Sequence, residues 1–169
     1  ATDFDTLDEL KADYKKKLED RAAQTAEMEA DNALYEALIT KMSAEIPEVM
    51  FEHKIDEMVR DFEMRLSQQG LTLDMYLTYT NTDKDAFRKT FADRAANEVK
   101  VRLALEAIAK LENVEISDEK VEEEINKLAE QYKMTADQVK SYVSPEAIKA
   151  DLAVAEAAKI VKDNAKING

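Results

Sequence analysis

What most limits the folds open to this chain is how rarely it can break a helix. Its 169 residues include 2 glycines and 2 prolines. Gly169 is the last residue, so Pro47, Gly70 and Pro145 are the strong interruptions inside the chain. A charged fraction of 36% suits long, solvent-washed helices better than a deep globular core. These features predict an all-α fold built on an elongated, non-bundle helical body.

Capping signals and apolar spacing place the elements. Thr6 and Glu9 form a capping box, and the helix they open runs for roughly 35 residues to about Met42. Ile46-Pro47 ends it. A second helix, with Pro47 at its first turn, carries the stripe Phe51, Ile55, Met58, Val59, Phe62 and Leu66 and closes at Gly70. Thr72 caps a short helix bearing Leu73, Tyr76, Leu77 and, at its end, Tyr79. Thr82 and Asp85 are spaced as the next box. They precede one long helix from Asp83 to about Leu111, with Phe87, Phe91, Ala95, Val99, Leu103, Ile108 and Leu111 on its apolar face.

Glu112 to Ile116 is the one strand-like stretch and reads as an extended linker. Ser117 then caps a helix facing inward through Val121, Ile125, Leu128 and Tyr132. Thr135 and Gln138 cap a short one whose inward side is Val139, Tyr142 and Val143. Ser144-Pro145 opens the last, through Ile148, Leu152, Ala155 and Val161 to about Asn164. Its small residues Ala153, Ala155, Ala157 and Ala158 permit close approach of a neighbour. The plan thus occurs twice, as a helical hairpin with a half-length helix folded against its tip. The two units run roughly from Pro47 to Leu111 and from Ser117 to Asn164.

Charge and chemistry narrow the function. The formal net charge is −13, with 24 basic and 37 acidic residues. Residues 1–70 hold 9 basic and 18 acidic side chains, a net of −9, and the remainder a net of −4. Neither half offers a basic footprint for phosphates, which argues against nucleic acid as a partner. Cysteine is absent, so thiolate chemistry, disulfides and sulfur metal sites are excluded. No run of 18 apolar residues exists, so no bilayer-spanning helix is expected and no membrane partner. His53, the sole histidine, lies off its helix's stripe and reads as a solvent-exposed side chain. The carboxylates Asp118, Glu119, Glu122, Glu123 and Glu124 read as a solvated helix face rather than a metal or acid–base site. No phosphate loop or metal motif is present, so neither an enzyme nor a cofactor is expected.

The apolar inventory points elsewhere. Seven methionines and six tyrosines are more than a thin core needs, and flexible thioethers suit surfaces that meet many partners. The candidate contacts for a protein partner, near the hairpin tips or off the stripes, are Met50, Met64, Met75, Tyr76, Tyr79, Met134 and Tyr142.

Read in order, the motifs resemble a known family. They are TLDELKADYKKKLED (Thr6 to Asp20), IPEVMFEHKIDEMVRDFEMRLSQQGLTLDMYL (Ile46 to Leu77), DAFRKTFADRAANEVKVRLALEAIAKLENVEISDEKVEEEINKLAEQYKM (Asp85 to Met134) and DNAKI (Asp163 to Ile167). Together they resemble the C-terminal, substrate-binding domain of bacterial trigger factor. A fainter likeness, of fold only, is to SurA-type chaperones. The resemblance implies a single domain with a body and two helical arms framing a cradle for unfolded or nascent polypeptide, without ATP, in the cytoplasm: a long body helix (1–45), a first arm and return helix (46–111), and a second arm with a C-terminal body helix (112–169). It also implies that the family's ribosome-docking and prolyl isomerase domains lie outside this chain. Ribosome contact and isomerase activity are then not expected of it, and self-association through a bared apolar strip is. The competing expectation is a helical scaffold with one fixed protein partner.

Overall fold

The structure, a computed structural model, describes residues 6–165; Lys166 and Ile167 of the last motif lie outside them. Among the described residues the regular elements are eight helices. They are α1 (Leu7–Lys41), α2 (Glu48–Gln68), α3 (Leu73–Thr80), α4 (Lys84–Lys89), α5 (Ala92–Leu111), α6 (Asp118–Tyr132), α7 (Ala136–Tyr142) and α8 (Pro145–Asn164). The fold is all-α. The chain divides into two compact units, Ala1–Ala37 and Leu38–Gly169.

The first unit holds most of α1. Its capping box forms as spaced: the Thr6 amide donates to Glu9 Oε2 at 3.1 Å and the Glu9 amide to Thr6 Oγ1 at 3.2 Å. No described residue of α1 is buried. Leu7, Tyr14, Leu18 and Met28 are all more than half exposed.

The second unit contains two separate cores. The first gathers Ile55, Met58, Val59 and Leu66 of α2 with Leu73 and Leu77 of α3, Phe87 of α4 and Ala95 of α5. The α2 residues recur at helical spacing, so one face of α2 is apolar and buried. At about 1.5–3 kcal/mol for each large side chain removed from water, these residues carry most of that core's stabilisation. Aromatic rings close its edge. Phe62 meets Tyr76 at 5.0 Å, Phe87 at 5.1 Å and Phe91 at 6.4 Å between centroids. Phe87 and Phe91 meet edge to face at 5.1 Å.

The second core joins Ile116 of the linker, Val121, Ile125 and Ala129 of α6, Val139 of α7 and Ile148 of α8. Ile125 is fully enclosed. Helix α8 packs along α5 as well as on α6. Among the buried residues of these two helices several are small: Ala95, Ala104 and Ala109 on α5, and Ala157 on α8.

Several expectations need correction. Pro47 is the cap residue of α2 (φ −58°, ψ 135°) rather than its first helical residue. The helix expected from Asp83 to Leu111 is two. Thr90 and Phe91 donate their amides only three residues back, to Phe87 and Arg88, and the Thr90 hydroxyl also binds the Phe87 carbonyl at 2.6 Å. Competition from that hydroxyl tightens the turn and separates α4 from α5. Asp83, not Thr82, caps α4, its Oδ1 accepting from the Ala86 amide at 2.7 Å. On α5, Leu103 and Ile108 are only half-buried and Leu111 is exposed. On α8, Ala155 is exposed while Ala157 is enclosed. The buried faces follow the small residues because close helix approach selects them. Tyr132, Tyr142 and Val143, expected inward, are exposed.

Candidate functional site

The seven candidate residues sort by how their own helix is anchored. On α3, Leu73 and Leu77 face the first core, four residues apart. At 100° per residue, Met75 and Tyr79 are turned about 200° from them and face outward. They are 54% and 91% exposed. Met75 and Tyr79, four residues apart, therefore share the outward face of α3, and Leu71, just before the helix, is exposed too. Thr72 fixes the start of α3, its Oγ1 accepting from the Met75 amide at 3.2 Å. Asn81 fixes its end in the left-handed conformation (φ 51°). A short helix so held is a rigid mount for an exposed apolar side chain.

Tyr76 differs. It stacks edge-on against Phe62 and lies 6.0 Å from Phe87, half-buried at the shoulder of the first core. Met134 is likewise half-buried against the second core, with its amide bonded to the Ala129 carbonyl at 2.8 Å. Met50 and Met64 lie near opposite ends of α2 and are exposed. Tyr142, at the end of α7, is 79% exposed.

Sequence reasoning missed Val49, Leu71, Leu111, Tyr132 and Val143, which are large, apolar and exposed in the same unit. The signal for Leu71 was its place just beyond Gly70, outside either helix's stripe. Leu111 and Tyr132 are the final residues of α5 and α6, where an apolar side chain projects past the packed turns.

Ion pairs stitch the helices that carry these side chains. Arg88 of α4 forks onto α2, with Nη2 on Glu52 at 2.7 Å and Nη1 on Asp56. Lys54 of α2 reaches Glu98 of α5 at 3.2 Å. Arg102 of α5 reaches Asp151 of α8 at 2.7 Å and Glu106 at 2.9 Å. Lys140 of α7 meets Glu122 of α6 at 2.7 Å, and Lys149 of α8 meets Asp118 of α6 at 3.1 Å. The hydrogen bond from Arg88 holds the Asp56 carboxyl below its ordinary value of 3.8. Glu119, Glu123 and His53 are exposed. Among the described residues no group of three or more acidic or histidine side chains is placed to hold a metal ion. No described helix is long and apolar enough to cross a membrane.

Comparison with known proteins adds family and fold. The family model described as the C-terminus of bacterial trigger factor protein matches residues 6–163. A trigger factor from Ruminiclostridium cellulolyticum is 46% identical over 99% of this chain and 40% of its own length. One from Bacillus cytotoxicus is 41% identical over 95% of this chain and 38% of its own length. The chain therefore spans about two fifths of the curated relatives it matches. A solved structure of trigger factor domains from Thermotoga maritima superposes with a TM-score of 0.51, covering 80% of this chain and 83% of that one, at 19% identity. That last likeness is one of fold.

Proposed function

This chain belongs to the family of bacterial trigger factor C-terminal domains, and on that premise we propose that it is an ATP-independent chaperone domain that holds unfolded or nascent polypeptides. The observation that carries the proposal is the set of large apolar side chains left exposed on helices whose inner faces are already occupied, Met75 and Tyr79 foremost. Each patch is small. Covering it with a client's apolar side chains removes surface from water at about 25 cal/mol per Å², so one contact is weak and several together give avidity. Weak, separable contacts let a client leave and fold. Met50, Met64, Met75, Tyr79 and Tyr142 are the proposed contacts on exposed faces, with Tyr76 and Met134 supporting from the core shoulders. The acidic surface limits self-attraction and favours clients with basic residues. The reading places the domain in the cytoplasm, with ribosome contact belonging to other parts of a longer protein.

The test is methyl and amide NMR of the chain titrated with an unfolded, apolar-rich polypeptide, alongside aggregation of a denatured client. Expected are shifts at several of the seven positions and slower aggregation. Combined Met75→Ser and Tyr79→Ser should weaken binding severalfold while leaving stability within about 0.5 kcal/mol, as exposed substitutions do. A single saturable partner with no effect on aggregation would instead indicate a scaffold.

A further inference from the structure

The end of α5, the linker that follows and the middle of α8 enclose an open groove of about 430 Å³. That volume lies within the roughly 300–1,000 Å³ of ordinary binding clefts. Its apolar lining is Ala109, Val114, Ala150, Ala153 and Val154, and its charged lining includes Glu106, Lys110 and Glu115. Ala109 of α5 and Ala150 and Ala153 of α8, with short side chains, leave room there.

One wall is unusual in an all-helical chain. From Val114 to Ser117 the backbone is neither helix nor turn. The Val114 amide donates to the Ala109 carbonyl at 2.9 Å, but the amides of Glu115 and Ile116 and the carbonyls of Val114 and Glu115 have no hydrogen-bond partner among the described residues. The segment is nevertheless held, because the Ile116 side chain is buried in the second core and Ser117 caps α6. Positioned, unpaired main-chain groups beside an apolar groove are what strand addition by a peptide requires. The same stretch is the one with strand-like composition in the sequence. The charges nearby are unequally engaged. Glu106 and Asp151 are both paired with Arg102, whereas Glu115 makes no ion pair among the described residues.

The geometry points to this groove as a docking site for an extended segment of unfolded polypeptide. Its main chain hydrogen-bonds the Glu115 amide and carbonyl, a large apolar side chain fills the groove, and a basic residue lies beside Glu115. The inference rests on the polypeptide-binding reading but assigns a site apart from the seven residues above. It also differs from them in kind, since it reads backbone as well as side chains.

The probe is a short unstructured peptide with two adjacent large apolar residues flanked by lysines, titrated into the whole chain. Binding should shift the amide of Glu115 and slow its exchange with solvent. Ala150 is exposed, so Ala150→Trp fills the groove without disturbing a core. Affinity should fall about tenfold, with helical circular dichroism unchanged. Glu115→Pro removes one edge amide and should cost a similar factor, whereas Glu115→Ala, which keeps the amide, should cost less. Should Glu115→Pro impair folding, Ala150→Trp decides. If folded Ala150→Trp binds as tightly as the parent while Met75→Ser with Tyr79→Ser weakens binding, the groove is not the site and the polypeptide-binding reading stands. If the parent binds no unfolded peptide by any of these signals, both fail.

Discussion

Four helices end on one residue in the left-handed conformation, and glycine supplies it once. The residues are Gly70 (φ 74°), Asn81 (φ 51°), Asn113 (φ 50°) and Lys133 (φ 54°). In each case the next residue donates its amide five positions back: Leu71 to Leu66, Thr82 to Leu77, Val114 to Ala109 and Met134 to Ala129. The left-handed residue itself bonds three back. This is the Schellman closure, with an apolar pair across it in three of the four. Asparagine tolerates the conformation through local hydrogen bonding, but lysine bears its full steric cost of about 1–2 kcal/mol. Lys133→Gly should therefore raise the free energy of unfolding in urea by about 1 kcal/mol. Gly70→Ala should lower it by about the same amount. A β-carbon at Gly70 would meet nothing within 4 Å, so that loss is one of backbone conformation alone.

Among the elements, α4 is the shortest and depends most on a charged clamp. Arg88 ties it to α2 through Glu52 and Asp56. The Asp56 carboxyl is held below its ordinary value by that hydrogen bond. A depressed carboxylate stabilises the fold above its unfolded value of about 3.8 and loses that contribution as pH falls through the lower folded value. Arg88→Met should then destabilise the protein at pH 7, and the difference from the parent should shrink below about pH 4. Urea melts at the two pH values check this, and equal differences at both would sink the clamp. Helix α1 stands at the other extreme. It buries no described residue within its own unit and relies on spaced pairs such as Lys17 with Asp13 at 2.7 Å. Exposed pairs of this kind add only a few tenths of a kcal/mol each. Amides in its first 30 residues should exchange with solvent much faster than those of Ile125 or Val59, read by hydrogen exchange.

How far these elements were legible depended on which physical signal each one used. The capping box at Thr6, the closure at Gly70 and the box at Thr135 rest on local hydrogen bonds between nearby residues, so they stand in the sequence as they do in the structure. The break at Thr90 does not, because a threonine hydroxyl competing for a carbonyl leaves the helical pattern intact. The inner faces of α5 and α8 were misread for a different reason. Hydrophobicity favours Leu103 and Ile108, whereas close packing favours Ala104, Ala109 and Ala157. The outward face of Met75 and Tyr79 follows from the Leu73–Leu77 spacing, although apolar character alone groups Tyr79 with those two leucines. The groove was not, since its alanines come from segments about 40 residues apart in the chain.

For the molecule as a whole, charge is the property that governs encounters. Of its 24 basic residues, several are engaged in pairs that cross between helices, while 37 acidic residues set the sign of the field. A lysine-flanked unfolded peptide should accordingly bind more weakly as salt rises from about 0.05 M to about 0.5 M, and an uncharged apolar peptide should not. Isothermal titration at the two ionic strengths distinguishes them. Equal salt dependence for both peptides would remove any electrostatic role.

The two cores have a consequence for how the chain comes into being. The first draws on residues between Ile55 and Ala95, and the second on residues between Ile116 and Ile148. Each is completed by a stretch of roughly 30–40 consecutive residues, and short separations between contacting residues favour rapid folding. During synthesis from the N-terminus, the first core can close before the second has been made. If the domain shelters the unfinished chains of others, as proposed, it would spend little time as one itself.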